Sequence, residues 1–324
     1  MAIEALPLLG TLSTESIRRL SGEIREMARA RNAVILAHNY QVPEVQDVAD
    51  SVGDSLGLSQ EAARTEADVI VFCGVHFMAE TAKILNPSKR VLIPDLDAGC
   101  SLSDTITGEQ LRTWKAQHPG AIVVSYVNCT ADVKAESDYC CTSGNAEKVI
   151  RAIPEDREIL FCPDMFLGAH LERVTGRRMH VWMGECHVHA GIEPEDVDQA
   201  EHDHPGAELL VHPECGCTTS TLYRYGDTGK VRVLSTEGII RRAQESPASQ
   251  FIVATENGIL HRLNKAVPGK EFFPASRGAI CRYMKMITLE KLHAALLDDV
   301  FEVDVPADIA ERARGAVQRM IAIA

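Results

Sequence analysis

AVILAHNY, residues 33–40, sets a run of apolar, branched residues directly before a histidine, an asparagine and a tyrosine. A run this short, rich in Val and Ile and closed by polar groups, reads as a strand buried on both faces, as in parallel sheets. Two further runs share the form, AIVVSYVN (121–128) and AELLVHPE (207–214). Aligning His38, Tyr126 and His212 spaces them 88 and 86 residues apart, each where a strand yields to a loop.

A second beat recurs as DVIVFCG (68–74), DYCCTSGN (138–145) and VRVLSTEG (231–238), each followed by a helical pattern. A third reads RVLIPD (90–95), EILFCPD (158–164) and FIVATEN (251–257), and after each comes one cysteine: Cys100, Cys186 and Cys281. The shared order predicts three small α/β units in a row rather than one long doubly wound sheet. Ligands of parallel α/β sheets bind at the carboxyl ends of the strands. Three units facing inward would bring the strand-end groups and the three cysteines to one central cavity.

Composition narrows the function. The 324 residues are 45% hydrophobic and 24% charged, the balance of an ordinary globular protein. No run of about 18 apolar residues predicts a membrane span. The opening MAIEALPLLGTLSTESIRRL lacks the pattern of a secretion signal, so a cytoplasmic protein is expected. A net charge of −13 argues against nucleic-acid binding, while leaving room for small anions held at helix N-termini. Ten cysteines without a secretion signal point to reduced thiols, metal ligands or catalytic groups. They are Cys73, Cys100, Cys129, Cys140, Cys141, Cys162, Cys186, Cys215, Cys217 and Cys281, and none forms a CxxC pair.

Three converging cysteinates without a fourth imply a four-iron cluster with one iron free to act as a Lewis acid. Each taken alone reads more readily as a buried thiol, and the metal reading rests on the triplet and its placement. The stretch WMGECHVH (182–189) also admits a zinc site of Cys186, His187 and His189, or a thiol beside surface histidines. His38 and Tyr40, two residues apart on extended chain, point the same way and suit proton transfer or carbonyl polarisation. His212 and Glu214 repeat that spacing, Glu214 as acid or base, or as an exposed charge. Ser143, Ser235 and Thr236 stand at helix starts, where they bind anions or simply cap. Asn128 and Ser55 are polar groups near strand ends or helix starts with the same two readings.

LAHNYQVPEVQDVADSVGDSLGLSQEA, FMAETAKILNP, YVNCTADVKAESDYCCTSGNA, VHPEC, LSTEGI and CRYMKMITLEKL together closely resemble quinolinate synthase, the iron–sulfur enzyme family of de novo NAD biosynthesis. The resemblance runs from about residue 20 to 305. It implies three Rossmann-like αβα domains around a pseudo-threefold axis. The expected bounds are 25–115 with an N-terminal helix over 13–30, then 116–200, 201–305 and a C-terminal helix over 306–324. It further implies a [4Fe–4S] cluster on Cys100, Cys186 and Cys281. The implied reaction, a transferase-type condensation, joins iminoaspartate with dihydroxyacetone phosphate and releases phosphate and water to give quinolinate. By the same resemblance Tyr40, Glu214 and His38 manage proton transfers and contacts. Ser55, Tyr126, Asn128, Ser143, His189, His212, Ser235 and Thr236 line the substrate cavity, and His187 does neither job. An aspartate-oxidising partner enzyme is expected.

Two departures stand out: Glu237 where the family commonly has glycine, and a longer 214–230 segment, read as a mobile surface loop, that carries Cys215 and Cys217. The rival readings are another iron–sulfur hydro-lyase acting on a small acid, and a non-enzymatic iron or redox sensor.

Overall fold

The structure, a computed structural model, describes residues 12–225 and 229–323. Residues 1–11 of the stretch read for a secretion signal lie outside the described residues, as do 226–228 of the 214–230 segment and the last residue of the 306–324 helix.

Three four-stranded parallel sheets follow one another along the chain. The first holds β1 (Ala33–His38), β2 (Ser51–Gly53), β3 (Val69–Cys73) and β4 (Arg90–Leu92); the second β5 (Ile122–Tyr126), β6 (Tyr139–Cys141), β7 (Ile159–Cys162) and β8 (His180–Val181). The third holds β9 (Glu208–Val211), β10 (Val231–Val233), β11 (Gln250–Ala254) and β12 (Glu271–Pro274). In each sheet the spatial order is second, first, third, fourth strand, so three Rossmann-like αβα units are present. The register supports aligning His38, Tyr126 and His212. Ala37 pairs Cys73, Ser125 pairs Cys162 and Val211 pairs Ala254, and each aligned residue comes next.

The later beats align differently from the sequence reading. DVIVFCG is the third strand of its unit, whereas DYCC and VRV are second strands; the true counterpart of these two is β2. RVL is a fourth strand, matched by β8 and β12 rather than by EILFC and FIVA. The physical reason is length. Ser-Val-Gly and His-Val are too short to show periodicity, and ladder pairing to a longer neighbour makes them strands. Each cysteine therefore follows a fourth strand.

The helices are α1 (Thr14–Ala30), α2 (Pro43–Val48), α3 (Ser55–Arg64), α4 (His76–Leu85), α5 (Gly108–Gln117), α6 (Ala131–Ala135), α7 (Ala146–Ala152) and α8 (Met165–Thr175). They continue as α9 (His187–Ala190), α10 (Pro194–Asp203), α11 (Thr218–Tyr225), α12 (Thr236–Glu245), α13 (Ile259–Ala266), α14 (Leu289–Asp298) and α15 (Ala307–Ala322). Helix α1 begins where the Ser13 hydroxyl accepts from Ser16 N at 3.1 Å, and it buries Leu20, Ile24 and Ala28 at four-residue spacing. Helix α14 packs on α1, and Leu92 bridges Glu302 antiparallel at the edge of the first sheet. Helix α15 packs against α3, α4, α6 and β6, so it spans the first and second units.

Over residues 214–225 the reading of the 214–230 segment as a mobile loop is corrected. Residues 218–225 form α11, and Cys215 and Cys217 are fully buried, with the Cys215 thiol donating to Ala254 O at 3.0 Å. Apolar burial against the third sheet fixes this segment.

Candidate active site

The carboxyl ends of the three sheets converge on one cavity. Each first strand sends two side chains into it at spacing i, i+2: His38 and Tyr40, Tyr126 and Asn128, His212 and Glu214. The second residue of each pair lies just past the strand end, in a turn or bend, and it is that turn which aims it into the cavity beside the first. Each second strand leads into a helix-start turn that adds Asp54 and Ser55, Thr142 and Ser143, or Thr236. The loops after the fourth strands add Cys100, Cys186 and Cys281, and His189 follows on α9. Ser235 stands back from the lining: its hydroxyl accepts from Gly238 N at 3.2 Å and caps α12. His187 is exposed at the rim, with Nδ1 2.5 Å from Ser101 Oγ.

Contacts between units knit the site. The Tyr40 hydroxyl lies 2.6 Å from Thr255 Oγ1 and 3.3 Å from His189 Nε2, which is itself 2.9 Å from Thr255 Oγ1. His189 Nδ1 lies 3.3 Å from Cys186 Sγ and 3.4 Å from Glu214 Oε2. Tyr126 donates its hydroxyl to Glu214 Oε1, and His212 Nδ1 stands 3.5 Å from the same oxygen. His212 Nε2 lies 3.1 Å from Ser143 Oγ.

Burial sets the ionisation of these groups, and their neighbours modify it. Burial would push the Glu214 carboxyl up, but His189, His212 and the Tyr126 hydrogen bond together hold it down at about 2. Burial opposes charging His189, yet Tyr40, Glu214 and Cys186 raise it well above the usual imidazole range. Burial holds His38 and His212 neutral, each lowered to about 3. Burial likewise keeps Tyr40 and Tyr126 protonated. His189 and Glu214 therefore form an imidazolium–carboxylate pair beside neutral His38 and His212.

Asn128 Oδ1, His212 Nδ1 and Glu214 Oε2 are buried without a hydrogen bond. Buried polar atoms are nearly always satisfied, so three orphans on one cavity mark where a ligand completes them. No lysine or arginine is among the described residues of the lining. An anion there meets hydroxyls, amides, imidazoles and helix starts instead.

Sequence reasoning missed several groups. Asp54 lines the cavity and Glu256 lines it from the end of β11. Glu256 Oε1 accepts from Cys281 N at 3.0 Å and pairs with Lys285 Nζ at 2.9 Å, fixing the loop that carries Cys281. The strand-end rule, applied to the third strands as it was to the first, would have found Thr255 and Glu256. Glu237, which the sequence reading takes as a departure from the family pattern, pairs with Arg262, which also donates to Asn39 Oδ1. Asn39 in turn donates to Thr236 Oγ1 at 2.9 Å, so the added charge is neutralised and serves to orient a lining residue.

Two metal arrangements fit the donors. Cys186, His189 and Glu214 place one ligand atom each within 4.8 Å of one another. Separately, the three free thiols of Cys100, Cys186 and Cys281 share the cavity. Burial pushes Cys100 well up, and Cys186 and Cys281 push it further. Three thiolate donors lining one cavity suit an iron–sulfur group.

Three Rossmann-like units closing on a shared cavity of thiols, imidazoles and carboxylates define an α/β enzyme architecture. A family model described as "Quinolinate synthetase A protein" matches residues 22–322. Similar proteins named quinolinate synthase include one from Mycobacterium sp. (strain KMS), 59% identical over 94% of this chain and 91% of the relative. One from Thermus thermophilus is 58% identical over 94% of this chain and 97% of the relative. One from Mycobacterium tuberculosis is 56% identical over 97% of this chain and 92% of the relative. The chain belongs to the quinolinate synthetase A family. Among the described residues, no helix is long and apolar enough to cross a membrane.

Proposed function

We propose that the chain is a quinolinate synthase of NAD biosynthesis, joining iminoaspartate to dihydroxyacetone phosphate with loss of phosphate and water. The observation that carries the reading is the set of three buried polar atoms without a hydrogen bond, on Asn128, His212 and Glu214, around a cavity that also gathers three thiols. In this reading Cys100, Cys186 and Cys281 hold a [4Fe–4S] cluster. Such a group supplies Lewis-acid activation of a substrate oxygen or nitrogen through an iron free of protein sulfur.

The remaining work falls to this chain's own side chains. Glu214, ionised and steadied by the Tyr126 hydroxyl, accepts a proton from the substrate, and the His189 imidazolium beside it returns one. Tyr40, kept protonated by burial and held by Thr255, donates a hydrogen bond to a carbonyl oxygen. Neutral His38 and His212, with Ser55, Asn128, Ser143 and Thr236, hold carboxylate and phosphate oxygens without a competing salt bridge. An aspartate-oxidising enzyme supplies the short-lived imine, and both work in the cytoplasm.

Anaerobic protein incubated with the two substrates should form quinolinate; absence of product overturns the reading. Cys100→Ala, Cys186→Ala or Cys281→Ala should each lose the roughly four irons per chain of a cubane cluster. Cys73→Ala and Cys162→Ala, in the cores of the first and second sheets, should keep them. A second reading, a single ion on Cys186, His189 and Glu214, predicts one metal per chain, lost in Cys186→Ala but not in Cys281→Ala.

A further inference from the structure

At the opposite end of the second sheet from the cavity stands a separate cluster of ligand-type side chains. Glu158 immediately precedes β7, and its carbonyl accepts from Ile122 N at 2.8 Å, which fixes it beside the start of β5. His180 opens β8 opposite Leu160 of β7. Glu158 and Leu160 share a sheet face by alternation, so Glu158 and His180 stand on that face as diagonal neighbours. Two residues on, Trp182 shares the face as well. Helix α5 lies against it with Trp114 and, at its end, His118, four residues apart. The match is one to one: Trp114 meets Trp182 with ring centroids 5.5 Å apart, and His118 meets His180 at 4.2 Å.

Both imidazoles address the same carboxylate oxygen. His118 Nδ1 and His180 Nε2 each lie 3.7 Å from Glu158 Oε2, and the three ligand atoms fall within 4.8 Å of one another. Metal–nitrogen and metal–oxygen bonds of about 2.0–2.2 Å in a tetrahedral site put neighbouring donors roughly 3.4 Å apart. Modest rotations of these partly exposed side chains close the difference. Two imidazoles and one carboxylate are ligands for borderline divalent ions rather than for calcium or magnesium, which take oxygens alone.

We infer that His118, Glu158 and His180 form a binding site for a first-row divalent transition-metal ion of the zinc type, distinct from the central cavity, with water in the fourth position. Bound there, the ion ties the end of α5 to the starts of β7 and β8. This inference does not rest on the synthase reading.

The chain's two tryptophans are Trp114 and Trp182, and Trp114 stands 6.3 Å from the His118 ring. Tryptophan fluorescence therefore reports on this site, and Cys186→Ala separates it from the cavity. The test titrates anaerobic full-length protein with Ni²⁺, which quenches nearby indoles, and then adds Zn²⁺ to displace it. Expected is saturable quenching at one equivalent, reversed by Zn²⁺ and retained in Cys186→Ala. His118→Ala and His180→Ala should each weaken it at least about tenfold, the loss that even outer-shell partners of a metal produce. Glu158→Gln should weaken it while keeping the fold, checked by unchanged melting without metal. Quenching that survives both histidine substitutions, that disappears in Cys186→Ala, or that fails to saturate overturns the site and leaves the cluster a surface ion pair.

Discussion

Asp54 shows how a side chain's surroundings override its type. It caps α3, with Oδ1 accepting from Gly57 N at 2.8 Å. Burial, opposed by that hydrogen bond and reinforced by Glu237, raises its carboxyl from the ordinary 3.8 to about 6. Because the folded value lies above the unfolded one, the folded chain binds the proton more tightly. Its contribution to stability is fully present below pH 3.8 and falls as pH rises through 6. Above that, the buried charge costs up to about 3 kcal/mol. Asp54→Asn retains the cap without the charge. It should be more stable than the parent at pH 8 and equal to it at pH 3.5, as read by urea melts. A stable variant that loses activity would place the Asp54 carboxylate in the chemistry. The sequence marked Ser55 and passed over Asp54, because a cap and a cavity group look alike until burial is known.

At the scale of elements, the strand and helix types were legible where runs were long and apolar. They were not legible where a strand has two or three residues. Helix ends are decided by caps and partners, and one such end holds an ion-pair knot. Glu136, at the end of α6 and only 7% exposed, accepts from Arg112 Nη2 at 2.9 Å and from Arg312, with Lys115 Nζ at 3.4 Å. Burial pushes its carboxyl up, but the hydrogen bonds from Arg112 and Arg312 hold it below the usual 4.5. The depressed value means the stabilisation is present above pH 4.5 and is lost as pH falls below it. Glu136→Gln should cost about 1–2 kcal/mol at pH 7, discounted for the partly exposed cations, and little at pH 3. Equal losses at both pH values would rule out the ion-pair account.

For the whole molecule, α15 joins the first and second units and reaches the cavity wall through one side chain. Asn145 Nδ2 donates to Met320 O and Ile323 O, each at 2.9 Å, satisfying the helix end, while its Oδ1 accepts from Thr142 N at 2.8 Å. The turn so fixed carries Ser143 into the site. Asn145→Ala should cost about 1–3 kcal/mol through the groups left unpaired. On the proposed function it should also raise KM for the phosphate-bearing substrate of that reaction more than it lowers kcat, which steady-state kinetics on the folded variant would check. By itself the sequence determined the threefold recurrence of the first strands, the polar groups at their ends and the cysteine trailing each unit, because periodicity and spacing are carried by near neighbours along the chain. Only the tertiary structure decided that Glu214 lies between Tyr126, His189 and His212, that Glu237 is spent on Arg262, and that 218–225 is a helix. Those outcomes depend on which surfaces of three separately formed units meet, and on how far water is excluded where they do.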